Sequence, residues 1–533
     1  MEAGKYPMAE AVRAAYRAGQ EDEAMEPLVR VDHRGRPVGR IQDGDYVIFY
    51  DIRGEREVEL TSAFIAPDFP HFARPPMTVH FATMIEYHPD LDVRVAFPPL
   101  ERLEGTLFET VSRAGLRQIK VCESEKAIHV SFFLNGKFQE AFPGEERIVI
   151  PSPRPASAHE MPPQMSAAAV ADAVIQALRE PHHALVTANL CNVDVIGHIE
   201  NPEAIRVAVE TVDAQAGRIV DAALDAGMSV VLTADHGTVE RWYYPDGAID
   251  TGHTDSLVPF VLIDPMPGRE TRLWEGGALT DVAPTVIQLL GLPQPAAMTG
   301  QTLVALPSPL RGEGWGGGGR RVLLLILDGW GIGDGGRSDL IAQAHTPVMD
   351  RLLSTRPHTR LQASGLSVGM PSGTVGNSEA GHLHIGAGRP VPADRVRISQ
   401  ALADGSFFQN EAFLWAMQGA KRDGRQLHLM GIVSFYSSHG SVDHLLALME
   451  MARREGVPQV GIHGMLGRRG ERPESGALYI EQVEREAERL GLGRVATVIG
   501  RFWSLDREGH WDRVEKTYRM LVEGQGQPVR DTG

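Results

Sequence analysis

Metal-type side chains gather in four short segments of the 533-residue chain. NVDVIGH carries Asp194 and His198 four residues apart, so one helical turn could aim both at one ion. TADHG carries Asp235 and His236 side by side after an apolar run. Neighbours on a regular strand face opposite ways, so both can be ligands only in a loop or between two ions. DTGHTD adds His253, and LDGWG puts Asp328 at the end of a second apolar run. Singly, each segment is ordinary: a strand-end aspartate often caps a helix, and a buried histidine usually serves the core. Four of them, with no cysteine among them, predict a two-ion site. Mixed carboxylate and imidazole ligands suit Mn or Zn better than Ca or Mg, and paired ions are a clamp for phosphoryl transfer. The stretch MPSGTVGNSEAGHLHIGAG offers Ser378 as a nucleophile. Its glycines let backbone approach a phosphate, and a metal can lower the hydroxyl pKa. A capping serine in a glycine-rich turn would have the same local sequence.

These residues need elements to position them. YVIFY, HALVTANL, SVVLTADHG, VLLLILDGWG and LHLMGIVS read as buried strands ending in loops. EAIRVAVETVDAQAGRIVDAALDAG has apolar residues at helical spacing and a glycine at its end. Alternating strands and helices predict an α/β fold with largely parallel sheets, whose functional residues stand on loops at the carboxyl ends of strands. The length predicts two domains. PSPLRGEGWGGGGR, within 305–320, has no periodicity and reads as a flexible tether; as a coil, its roughly 14 residues span about 20 Å.

The net charge of −17 argues against nucleic acid as a partner. Cys122 and Cys191 are too few for a disulfide framework, which fits a reducing cytoplasm. The N-terminal residues lack the apolar core of a signal peptide, and no apolar run approaches a membrane span, so no membrane association is expected.

LILDGWG, GNSEAGHLHIGAGR, LHLMGIVS, GRFWSLDREGHWDRVEKTYRMLVEG, SEKAIHVSFFLNG, ADHGT and DVAPTVIQLLGLPQPAAMTG together resemble cofactor-independent phosphoglycerate mutase, of the alkaline phosphatase superfamily. The resemblance covers nearly the whole chain except the tether, but in a different order. The family begins with the LDGWG strand and ends after LPQPAAMTG; here that beginning starts near Arg321, as in a circular permutation whose old ends the tether joins. It implies a continuous phosphatase-like metal domain over 105–394, containing the tether, and a smaller α/β transferase domain split into 1–104 and 395–533. PLERLEGTLFE and RPVPADRVRIS would be the hinge strands.

The resemblance also implies residue roles. Asp194, His198 and His253 would hold one divalent ion; Asp328, Asp235, His236 and the Ser378 hydroxyl would hold the other. Mn is the expected metal, with Zn or Co as alternatives. Ser378 would take the phosphoryl group, Lys126 would stabilise its charge, and Arg53, Arg56, His439, Arg469, Arg501 and Arg507 would bind a small phosphorylated acid. Arginine suits the carboxylate and phosphate because its fork is bidentate. The implied reaction interconverts 3-phosphoglycerate and 2-phosphoglycerate through phosphoserine, without a bisphosphate cofactor, in a monomer.

Two departures from the family pattern fall in the transferase part. The family's D-G-R-D reads as Gly467 to Gly470, so its second aspartate, an acid/base for the glycerate hydroxyl, is Gly470. The family's S-D-G-G-V-H-S-H reads SFYSSHGS, with Phe435 and Ser441 replacing an aspartate and a histidine. A phosphoserine unable to return its group would be open to water, so a metal-dependent phosphatase is the alternative activity, and a binding protein without turnover the third.

Overall fold

The computed structural model describes residues 6–100, 102–154, 160–244, 246–265, 271–305, 320–435, 439–467 and 475–530. The chain divides into two compact units, one formed by Met1–Pro99 with Arg397–Gly533 and the other by Leu100–Val396. Strands are numbered along the chain.

The first unit is built on an eight-stranded sheet in the order β17-β1-β16-β15-β14-β2-β3-β4. These are β1 (Leu28–Val31), β2 (Tyr46–Phe49), β3 (His80–Ile85), β4 (Arg94–Phe97), β14 (Leu427–Ile432), β15 (Val460–Leu466), β16 (Arg494–Gly500) and β17 (Gln527–Arg530). The β16 to β4 run is parallel, and β1 meets β16 antiparallel. β2, β14 and β15 are buried along their whole length, as near-continuous apolar runs covered on both faces must be. Parallel strands need crossovers, and helices such as Gly54–Ile65, Val442–Glu455 and Gly476–Leu490 supply them.

The second unit has a seven-stranded sheet in the order β13-β9-β8-β12-β7-β5-β6. They are β5 (Arg117–Glu123), β6 (Glu145–Ile150), β7 (His183–Leu190), β8 (Ser229–Thr233), β9 (Val258–Ile263), β12 (Val322–Leu327) and β13 (His358–Leu361). β8 through β6 run parallel, and β9 is antiparallel to both neighbours. A small ladder joins β10 (Arg272–Leu273) to β11 (Val304–Ala305). VLLLIL forms the central strand β12, and all six of its residues are fully buried. Each such leucine contributes on the order of 2 kcal/mol of burial, which anchors the end of β12, where Asp328 follows. The long periodic segment forms the helix Pro202–Asp225, with Gly227 at φ 69° just beyond it. The α/β class with largely parallel sheets is as the sequence predicts.

The expected hinge strands are not strands. RPVPADRVRIS enters the helix Asp394–Asp404, since Asp394 supplies an acidic first turn and the residues beyond it carry no strand alternation. Among the described residues of PLERLEGTLFE, the first are irregular and Leu107–Arg113 is helical. Leu100 and Leu103, like Phe133, pack against the cluster of Leu383, Ala387 and Val391, so they join the second unit rather than ending the first. The tether, apart from Ala305 and Arg320, lies outside the described residues.

Candidate active site

In the second unit the parallel strands deliver their following residues to one edge. Asp328 follows β12, Asp235 and His236 follow β8, and Asp194 lies on the short helix Asn192–Gly197 after β7. Lys126 closes the turn after β5. Asp328 N–H donates to Leu190 O at 3.0 Å and Asp194 N–H to Asp328 O at 3.2 Å, which ties two of these strand ends together. Gly329 makes that approach possible. It has φ 82°, and a Cβ there would stand 2.7 Å from the Asp194 nitrogen.

Ser378 opens the helix Ser378–Ala387, capped by Asn377, whose side chain accepts from Ala380 N–H at 2.8 Å. Its hydroxyl stands 2.6 Å from Lys126 Nζ and 3.0 Å from His236 Nε2. Lys126 Nζ also donates to Asp194 Oδ2 and Asp328 Oδ1, each at 2.7 Å. The ammonium has three donors and meets three oxygens. Burial opposes its charge, but Asp328, Asp194 and Asp235 outweigh that and hold it above the ordinary lysine range.

The donor set fits divalent ions. His198 Nδ1 stands 2.7 Å from Thr251 O, and His253 Nδ1 stands 3.1 Å from Gly376 O. A carbonyl only accepts, so the proton of each neutral ring sits on Nδ1 and each Nε2 presents a lone pair. Those two Nε2 atoms face each other at 3.3 Å and face Asp194 Oδ1 at 3.4 and 3.1 Å. Three such atoms converging in this way could hold a metal ion, and backbone carbonyls behind metal-binding histidines are the usual orienting device. The second group is equally close. His236 Nε2 stands 3.4 Å from Asp235 Oδ2 and 3.6 Å from Asp328 Oδ1, and Ser378 Oγ stands 3.5 Å from Asp328 Oδ1. Asp235 Oδ2 is fully buried, and its near neighbours are the ring nitrogens of His236 and His382, a setting that suits an ion. Each set has its donor atoms within 4.8 Å of one another among Asp194, His198 and His253, and among Asp194, His236 and Asp328.

Two residues at this site escaped the sequence reading. His382 lies one helical turn after Ser378, with Nδ1 2.9 Å from Ser378 O and 3.2 Å from Asp235 Oδ2. Asn189 donates to Asp328 Oδ2 at 2.8 Å and stands 3.0 Å from His382 Nε2. Burial opposes the charge of His382, but Asp235 and Asp328 raise its pKa. The i, i+4 spacing of Ser378 and His382 was the available signal.

The arginines belong to the first unit and gather at the carboxyl ends of β2 and β16. Arg53 directly precedes the helix Gly54–Ile65, Arg56 lies in its first turn, and Arg501 directly follows β16. Arg53 Nε and Arg507 Nη1 both donate to Glu55, at 2.8 and 2.5 Å. Burial, then Arg507, Arg501 and Arg53, lower the pKa of Arg56, as expected where four guanidiniums crowd together. Such a cluster is built for an anion. His439 lies beside it, its pKa pushed down to about 3 by burial and by Arg501, Arg53 and Arg56. Arg469 and Gly470 lie outside the described residues. Phe435 is 63% exposed, and Ser441 caps the helix Val442–Glu455. A cleft of about 760 Å³ opens at the opposite ends of β15 and β16, lined by Arg30, Glu484, Val460 and Arg494, and holds none of these residues.

A model of the metalloenzyme superfamily matches residues 40–294, and a model of the N-terminus of BPG-independent phosphoglycerate mutases matches residues 398–532. The 2,3-bisphosphoglycerate-independent phosphoglycerate mutase of Moorella thermoacetica is 43% identical over 297 residues, 55% of this chain and 56% of the relative. That of Syntrophotalea carbinolica is 41% identical over 298 residues, 56% of this chain and 57% of the relative. The chain is similar to cofactor-independent phosphoglycerate mutases over these regions. It spans about half the length of the curated relatives it matches. The N-terminal model of the family falls in the C-terminal part of this chain. Among solved structures, that of Leishmania mexicana phosphoglycerate mutase at low cobalt concentration is similar at 29% identity with a TM-score of 0.37, over 52% of this chain and 53% of that one. Among the described residues no helix is long and apolar enough to cross a membrane, and both cysteines are free and buried.

Proposed function

We propose that this chain interconverts 3-phosphoglycerate and 2-phosphoglycerate through a phosphoserine at Ser378. The observation that carries the reading is the Ser378 hydroxyl, held between Lys126 Nζ and His236 Nε2 beside converging carboxylates. The order of the two matched family regions supports a circular permutation, with 105–394 acting as the phosphatase-like domain and 1–104 with 395–533 as the transferase domain. Asp194, His198 and His253 would hold one ion and Asp235, His236, Asp328 and Ser378 the other, with Mn the expected metal. When bound, the ions lower the serine pKa and neutralise phosphoryl charge. Lys126 adds a fixed positive charge on the equatorial oxygens. Ser378 stands at a helix N-terminus, where backbone N–H groups favour a phosphate. Arg53, Arg56, Arg501 and Arg507, with Arg469 and His439, bind and orient the acid. The protein acts as a soluble cytoplasmic monomer.

The test is phosphorus NMR of the purified Mn-loaded chain with 3-phosphoglycerate. Appearance of 2-phosphoglycerate supports the mutase, and an active Ser378→Ala variant would reject the nucleophile. Gly470 and the exposed Phe435, where the family carries aspartates, favour a phosphatase as the second reading. It predicts free phosphate in place of 2-phosphoglycerate.

A further inference from the structure

One buried carboxylate of the second unit belongs to neither set of proposed ligands. Glu240 is 0% exposed and lies four residues beyond His236 in the segment after β8. Its Oε2 accepts the Thr238 N–H at 2.9 Å, and its Oε1 accepts the Thr254 hydroxyl. Burying a carboxylate is costly unless donors meet it, and both donors here come from loops that carry proposed ligands. Thr238 stands two residues after His236, with its Oγ1 3.3 Å from His236 Nδ1. Thr254 directly follows His253, and its N–H donates to Gly237 O at 3.0 Å, which joins the two loops backbone to backbone. Thr254 O in turn accepts the Gly376 N–H at 3.1 Å, and Gly376 O faces His253 Nδ1 at 3.1 Å. Gly376 stands two residues before Ser378. The loop after β12 completes the enclosure. A Cβ at Gly331, three residues after Asp328, would overlap the Glu240 carboxyl carbon, and one at Gly237 would overlap Glu240 Oε1. Both glycines leave the space that the carboxylate fills.

We propose that Glu240 is a positioning residue that fixes the spacing of the two ion-holding sets and of Ser378 at once. The inference rests on the two-ion reading of this site and needs no particular substrate. Glu240 acts through Thr238 on His236, through Thr254 on His253, and through Thr254 and Gly376 on the turn before Ser378. A carboxylate suits this place because both of its oxygens accept, so it takes an N–H from one loop and an O–H from the other. Glutamine of the same shape has a single accepting oxygen. With that oxygen on the Thr238 N–H its amide can still donate to Thr254 Oγ1, so the span survives in weaker form. Alanine removes the span and leaves the Thr238 N–H and the Thr254 hydroxyl buried without their acceptor. One threonine serves the loop of His236 and the other the loop of His253, so losing Glu240 should weaken both ions together.

The experiment titrates Mn into the full-length chain freed of metal, by calorimetry, for the wild type, Glu240→Ala, Glu240→Gln and Thr254→Val. Each protein is also unfolded chemically without metal. The wild type should take up two ions. Glu240→Ala should raise Kd for both by roughly 10-fold to 100-fold, the scale of losing an orienting partner of a metal ligand. Glu240→Gln should raise it by less than about tenfold. Thr254→Val keeps the shape of threonine without the hydroxyl, and its effect should be less than additive with Glu240→Ala in the double variant, since both break one shared contact. At saturating Mn the electron paramagnetic resonance spectrum should show coupling between two ions in the wild type and an altered coupling in Glu240→Ala, which lowered fold stability alone does not produce. Variants that unfold more easily yet bind both ions with wild-type affinity and coupling would overturn the inference. Weakening of one ion alone overturns the shared role. If Glu240→Ala does not fold, wild-type affinity in both Glu240→Gln and Thr254→Val overturns it instead. A wild type that takes up no Mn rejects the two-ion reading and this inference with it, whereas normal uptake with an unaffected Glu240→Ala rejects the inference alone.

Discussion

Asp51→Asn should make the protein more stable as pH rises, which reverses the usual result of removing a carboxylate. Asp51 is fully buried, and burial pushes its pKa from the ordinary 3.8 up to about 8, only partly offset by the Ile432 N–H bond. Because the folded pKa is raised, this group's contribution is fully present below about pH 4 and is lost as pH climbs through about 8. Each pKa unit corresponds to about 1.4 kcal/mol, so a shift of about four units removes on the order of 5 kcal/mol between those limits. No discount for solvent screening applies at a site with no exposure. Asparagine keeps the Oδ1 acceptor for Ile432 and puts an N–H where the acid carries its proton, so it stays neutral at every pH. The assay is chemical denaturation of wild type and Asp51→Asn at about pH 4.5, 6, 7.5 and 8.5. Hydrogen exchange of the Leu427–Ile432 strand alongside it reports on the unit concerned. The stability gap should widen steadily with pH and level off above about pH 8. A gap that does not vary with pH would refute the reasoning, because it would mean that Asp51 ionises no later in the folded state than in the unfolded chain.

Three further outcomes test the second unit and the arginines. His382→Gln should weaken Mn binding roughly 10-fold to 100-fold by calorimetry, since the ring orients Asp235 and Asn189 from behind. Gly381→Ala should cost about 1–3 kcal/mol in denaturation, because its Cβ would stand 2.4 Å from Asp235 O. Activity should fall with it as the strand-end loop shifts. Arg56→Lys should raise KM for 3-phosphoglycerate about tenfold while changing kcat less, through loss of the planar fork.

Buried strands and the chemistry at their ends were legible because both are local. Six apolar residues followed by Asp-Gly have few solutions other than a central strand ending in a tight turn, and β12 with Asp328 is that solution. Asp194 and His198 share a helical turn, so their spacing alone brought them within 3.4 Å. The hinge segments failed for the same reason. Their short runs carry no strong periodicity, so neighbouring packing decided, making Asp394–Asp404 a helix and drawing Leu100 and Leu103 into the second unit.

Composition and motif order pointed to the α/β class, to the resemblance to phosphoglycerate mutases and to a set of candidate ligands. Tertiary structure decided which inventory members meet. Ser378 and Lys126 are 252 residues apart in sequence, and Glu57 and His439 are 382 apart. No local rule relates positions so distant; the register of parallel strands and the burial of their flanking helices set those distances. The carboxyl pair shows the difference most clearly. In sequence Asp51 and Glu57 are two acids among many beside two arginines. Only burial, which removes water from both and leaves one oxygen of each without a partner, pushes their pKa values up.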